Sequence, residues 1–232
     1  MSISLFYIIG VHLDLHHLMK KFVLFLALFS VAASFVGCED DIYHGNWIEI
    51  STLNAKGRAN SSLFLIDDKA YVTGGYGYYY VPVYFNTTYA FDANNYSWTE
   101  CDTMPCMPRM SGVSFSINGK GYYCGGMTSD GEYHNELFEF DPSQPAGSQW
   151  REMVSDTFPG GRFRCGLGFA IDGCGYVGSG INEKYGTSNQ YFKFDPTKPE
   201  GSRWSEISTP NALRRYDASV FVIGSRAFII GG

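Results

Sequence analysis

Tyr76, Tyr78, Tyr79, Tyr80 and Tyr84 crowd one short stretch of this 232-residue chain. Flat apolar rings that also carry hydroxyls suit the recognition of sugars or protein surfaces. Tyr133-His134 and Glu183-Lys184-Tyr185 offer smaller mixtures of the same kind. Arg58, Arg109, Arg162 and Arg215 recur roughly once per fifty residues. A cation at that spacing either reaches a bound ligand or bonds neighbouring loop carbonyls, as a once-per-repeat architectural residue does. The ligand-binding candidates are therefore Tyr78, Tyr79, Tyr80, Tyr84, Tyr133, His134 and Tyr185, with the four arginines.

Catalytic chemistry finds less to work with. The sequence has no Ser/His/Asp order, no glycine loop to cradle phosphate and no paired-carboxylate motif. Beyond the N-terminal region the only histidines are His44 and His134, too few for a metal centre, so neither a metal nor another cofactor is expected. His12, Asp14, His16 and His17 lie where no folded frame is expected to hold a metal ion. Cys101 and Cys106, in the segment CDTMPC, could close a small disulfide loop in an oxidising compartment; as a metal pair they lack a second ligand pair. Cys124, Cys165 and Cys174 read as small strand or turn residues. The net charge is −6 and no Lys/Arg cluster interrupts it, which excludes nucleic-acid binding through the phosphate backbone.

These candidates sit in a repeat. Trp47, Trp98, Trp150 and Trp204 are 51, 52 and 54 residues apart, and Tyr71, Tyr122, Tyr176 and Phe228 are 51, 54 and 52 apart. Two independent markers with one period predict a propeller or array. Within the stretch 109–150 the order is an arginine, an alternating run to Ile117, an Asn118-Gly119 turn, Tyr122, Gly125-Gly126, a polar loop, Phe140-Asp141 and Trp150. Asp67-Asp68, Asp172-Gly173 and Gly224-Ser225 are the matching hairpin turns, and Asn-Gly or Asp-Gly favours both central residues at positive φ. With 17% aromatic residues and 27 glycines, the chain reads as all-β, with four short strands per repeat.

The series di-glycine, aromatic-Asp and tryptophan resembles the kelch motif over residues 47–232. The resemblance implies a kelch-type β-propeller with one four-stranded sheet per blade: three complete blades plus part of a fourth, with Trp47-Ile48-Glu49-Ile50 as an added fourth strand. Gly232 follows a second strand, so the propeller is expected to be incomplete, a fragment of a longer one. Trp98, Trp150 and Trp204 are expected to be largely buried between blades. Two departures stand out: Ser179 replaces a first glycine, and Phe163 occupies the arginine position between Arg162 and Arg164.

The N-terminus predicts export. Met19-Lys20-Lys21, the apolar run 22–29 and the small residues before Cys38 form a secretory signal that resembles a lipobox, with Gly37 before a lipidated Cys38 and Phe35 where Leu is usual. Residues 1–18 read as a mis-assigned upstream extension, 19–38 as the lipoprotein signal peptide, 39–46 as an acidic linker and 47–232 as the propeller. The expected address is the cell envelope, lipid-anchored at the outer membrane on its surface or periplasmic side. The expected function is non-catalytic binding of a glycan or protein ligand through the tyrosine-rich loops. A sugar-modifying enzyme, resembling sialic-acid mutarotases or galactose oxidase, is the rival, and a purely structural scaffold the third reading.

Overall fold

The computed structural model describes residues 49–209 and 212–232, and those from Ile50 onward form one compact unit. The signal, Cys38, the acidic linker, Trp47 and Ile48 lie outside the described residues. The architecture is all-β, as the repeat requires. The one helical element among the described residues is the single 3₁₀ turn Val154–Asp156.

Three four-stranded antiparallel sheets follow one another, each with its strands in sequence order. Blade 1 is Ser62–Ile66, Lys69–Thr73, Thr88–Asp92 and Ser97–Glu100. Blade 2 is Val113–Ile117, Lys120–Cys124, Leu137–Phe140 and Trp150–Glu152. Blade 3 is Leu167–Ile171, Cys174–Gly178, Tyr191–Phe194 and Trp204–Ile207. Ser219–Ile223 and Arg226–Ile230 form a two-stranded hairpin in the fourth position.

The alternation of apolar and small residues positions the blades. In blade 2, Val113, Phe115 and Ile117 are buried while Ser114 and Ser116 alternate with them, which puts one side of the strand on a neighbour. Every first hairpin carries a parallel-stacked aromatic pair: Phe64 on Tyr71, Phe115 on Tyr122, Phe169 on Tyr176 and Phe221 on Phe228. The pair of one blade packs against Phe and Trp of the next. Phe140 and Trp150 meet Phe64, and Phe194 meets both Phe115 and Tyr122. Gly121 and Gly175 make room for this: a Cβ at either would lie 2.2 Å or 2.3 Å from the ring of Phe64 or Phe115.

Trp150 is buried as expected, whereas Trp98 and Trp204 are only half-buried. Trp204 is held by its indole N–H, which donates to the Asp156 carbonyl at 2.7 Å. The hairpin turns need one refinement. Asn118-Gly119 and Asp172-Gly173 have both residues at positive φ, but at 67–68 and 224–225 only Asp67 and Gly224 do, a first-position pattern that II′-like turns also allow.

Candidate functional site

The di-glycines create the loop face. Gly74-Gly75, Gly125-Gly126 and Gly231-Gly232 all have positive φ, and so does the departure pair, Ser179 at +60° with Gly180 at +84°. This left-handed step turns the chain out of the second strand. In the first three blades the N–H of the second glycine then donates to the next blade: Gly75 to Arg109 O at 2.9 Å, Gly126 to Phe163 O at 2.9 Å and Gly180 to Arg215 O at 2.8 Å. Phe163 therefore does stand at the arginine position, and Ser179 adds a bond of its own from Oγ to Arg215 O at 2.5 Å.

The recurring arginines serve these corners. Arg58 Nη1 donates to Gly74 O and Thr87 O, Arg109 Nη1 to Gly125 O and Arg215 Nη1 to Gly231 O. Arg109 is 2% exposed and pairs with Glu136 Oε2 at 3.0 Å. Arg162 differs: it is exposed and its guanidinium makes no hydrogen bond or ion pair among the described residues.

Beyond each corner the connection to the third strand forms its own small ribbon. In blade 1 it is a hairpin, Tyr76–Tyr79 with Val81–Tyr84. Cross-strand pairing puts Tyr76, Tyr78, Pro82 and Tyr84 on one face and Gly77, Tyr79, Val81 and Val83 on the other. The second face is anchored by Tyr79 Oη, which donates to Gly57 O at 2.8 Å, and by Lys56 over the Tyr79 ring. The first face is open: Tyr78 is 72% exposed, and Tyr80, at the tip with φ +68°, is 98% exposed. Pro82 removes an amide from the outer strand, which blunts it as an edge for strand addition.

In blade 2, Tyr133 is half-buried and accepts from Arg164 Nε at 2.8 Å. His134 lies in a polar chain that sequence reading did not reveal. Its Nδ1 is 3.3 Å from Glu136 Oε1 and its Nε2 is 3.2 Å from Thr128 Oγ1. Thr128 has one hydroxyl proton, and Asp130 Oδ1 at 2.6 Å takes it. Thr128 is then an acceptor toward the ring. Burial pulls the Glu136 carboxyl upward, but its own backbone N–H and Arg109 outweigh that and hold it below its ordinary value. In blade 3, Tyr185 is 66% exposed with the Lys184 ammonium 5.0 Å from its ring.

The tyrosine hairpin, the Tyr133-His134 loop and the Tyr185 loop thus occupy corresponding positions on three successive blades, each rooted at its own corner. Cys101 and Cys106, in the link between blades 1 and 2, are free thiols in this structure. Among the described residues no group of three or more His, Cys, Asp or Glu side chains is placed to hold a metal ion, and no helix is long and apolar enough to cross a membrane.

Repeated four-stranded sheets joined through glycine corners, with variable loops gathered beyond those corners, define a propeller-type scaffold of the kelch class. Residues 46–232 match the model of the KLHDC2/KLHL20/DRC7 Kelch-repeats domain, and the chain belongs to the kelch-repeat family. Kelch-like protein 23 of Pongo abelii is 27% identical over 172 residues, covering 73% of this chain but 28% of that protein. The solved structure described as "Structure of YjhT" superposes with a TM-score of 0.62 at 19% identity, covering 78% of this chain and 60% of the other. The chain therefore spans little more than a quarter of Kelch-like protein 23 and three fifths of the other protein.

Proposed function

We propose that this chain is a non-catalytic, envelope-anchored binding module that docks a protein partner on the open face of its tyrosine hairpin. One observation carries the reading: Tyr78 is exposed and Tyr80 stands almost wholly in water, on a hairpin whose opposite face is fixed by the Tyr79–Gly57 bond. Rigidly held tyrosines give large contact area at low conformational cost, and exposed rings with no packing role are the kind that become interface anchors. Kelch-family membership supports a protein partner over a glycan on this face. Anchoring through a lipidated Cys38, with outer-membrane attachment on either side, completes the proposal.

Photo-crosslinking from position 80 in intact cells tests the docking. A discrete protein adduct that disappears with Tyr78→Ala supports it; labelling of glycan alone, or adducts indifferent to Tyr78→Ala, rejects it. Palmitate labelling compared between the native chain and Cys38→Ala tests the anchor, and equal labelling of the two rejects it.

A further inference from the structure

We infer that the cleft in blade 3 between residues 159–162 and 182–185 binds a neutral saccharide. The inference is independent of the docking reading, because it concerns another blade and another ligand class.

The cleft is prebuilt. Asn182 is buried and ties its two walls together: its amide donates to Gly160 O at 2.7 Å, and its carbonyl oxygen accepts from the N–H groups of Lys184 and Tyr185 at 2.9 and 3.1 Å. Glu183 N–H donates to Arg162 O at 3.0 Å, a second tie between the same walls. A site fixed before the ligand arrives loses little entropy on binding. The space enclosed is about 500 Å³, within the usual range for small-ligand sites of roughly 300–1,000 Å³.

The lining chooses the ligand. Tyr185 presents an exposed ring, one side of which carries the Lys184 ammonium, while Phe192 lies buried in the wall. A pyranose supplies a matching apolar C–H face. Around the rings stand Arg162 and Glu183, both exposed and without side-chain partners among the described residues, and Gln190, which donates to Glu206 at 3.3 Å. Two cations, Arg162 and Lys184, balance two carboxylates, Glu183 and Glu206. A balanced lining gives no net attraction for an anion, and a purely apolar ligand would leave its polar groups unpaired. Hydroxyls that both donate and accept suit such a mixture. Across Tyr185 and Gln190 lies a second cleft of about 390 Å³, lined by Thr187, Ser188, Asn189 and Arg214, so the hydroxyl and amide lining continues for a second sugar unit.

Saturation-transfer NMR on the purified full chain tests this with maltotriose, cellotriose and mannotriose, using glucuronate and triglycine as charged and peptide controls. The expected result is saturable binding of at least one trisaccharide. Tyr185→Ala should weaken it roughly tenfold or more, as loss of an aromatic anchor does, Tyr185→Phe should retain it, and Tyr78→Ala should leave it unchanged. Failure of all three trisaccharides, preference for glucuronate or triglycine, or binding indifferent to Tyr185→Ala would each overturn the inference. Because Tyr78→Ala is the variant that tests protein docking, failure of one reading is separable from failure of the other.

Discussion

Glu139 and Arg151 face each other across the third and fourth strands of blade 2, with Arg151 Nε 2.9 Å from Glu139 Oε1. Lys120 Nζ reaches the same oxygen at 2.9 Å, and the Tyr122 hydroxyl donates to Oε2 at 3.0 Å. Burial alone would raise the Glu139 carboxyl, but these bonds outweigh it and leave it below its ordinary value. Asp141 is held down to about 2, chiefly by Ser143 with Gln144 and Lys120 assisting.

A carboxyl whose folded pKa lies below its unfolded value gives stability that is full above the unfolded value and is lost as pH falls through the folded one. The native chain should therefore lose stability progressively below pH about 4, near the unfolded Asp and Glu values. Glu139→Gln should flatten that acid limb and cost about 1–3 kcal/mol at neutral pH. Urea unfolding midpoints measured as a function of pH check both; an unchanged acid limb in the variant would remove Glu139 from this role.

Gly121→Ala and Gly175→Ala should each destabilise by about 1–3 kcal/mol, because the added methyl meets an aromatic ring of the preceding blade and the packed core resists expansion. Gly119 is the control. It has nothing within 4 Å of a Cβ, and only its φ of +76° opposes alanine, so Gly119→Ala should cost about 1 kcal/mol. Thermal melts of the three variants should rank in that order.

Asp156 should prove the most sensitive of the link residues. Its side chain is 2% exposed, pairs with Arg203 at 2.9 Å and accepts from the Gly201 N–H at 2.9 Å. Asp156→Asn should cost about 1.5–3 kcal/mol, read from urea unfolding. Asp102 makes the equivalent grip on Gly147 and Gln149, and an Asp102→Asn variant should respond in the same direction.

Thiol reactivity should rank by burial. Burial pushes Cys106 up to about 11 and raises Cys101, while Cys124 is 0% exposed and shifted upward by the same cause. Thiolate is the reactive form, so maleimide at neutral pH should label half-exposed Cys174 first and Cys124 last, with Cys101 and Cys106 both modifiable without reductant. Peptide mass mapping over time reads the order; a Cys101–Cys106 disulfide would show itself as reductant dependence.

Legibility in the sequence followed the range of the contact. The hairpin turns and the di-glycine corners are local and once-per-repeat, so the spacing of Tyr71, Tyr122, Tyr176 and Phe228 located them, whereas the stacking of those rings on a first-strand Phe came only with the fold. Ser179 read as a departure because its residue type is wrong for a left-handed step, yet the backbone adopts that step and gains the Arg215 bond. The tyrosine run was visible as composition, but its hairpin was not: pairing of Tyr76 with Tyr84 and the Tyr79–Gly57 anchor need the fold. The Asp102 and Asp156 grips were equally hidden, although the two aspartates are 54 residues apart; a lone Asp in a polar link carries no local pattern. Thr73, Thr88 and Trp150 form a buried hydroxyl–indole chain spanning two blades, and nothing in either segment announces the other.

The glycine corner has a consequence for how such a chain can change over generations. The bond from the second glycine to the next blade closes the architecture before the loop begins, and it uses backbone atoms only. Whatever follows, a long connection carrying the tyrosine hairpin in blade 1 or a shorter turn around Tyr185, leaves that closure untouched. Each blade can then exchange its loop as a cassette, acquiring or discarding a ligand without renegotiating its packing on its neighbours.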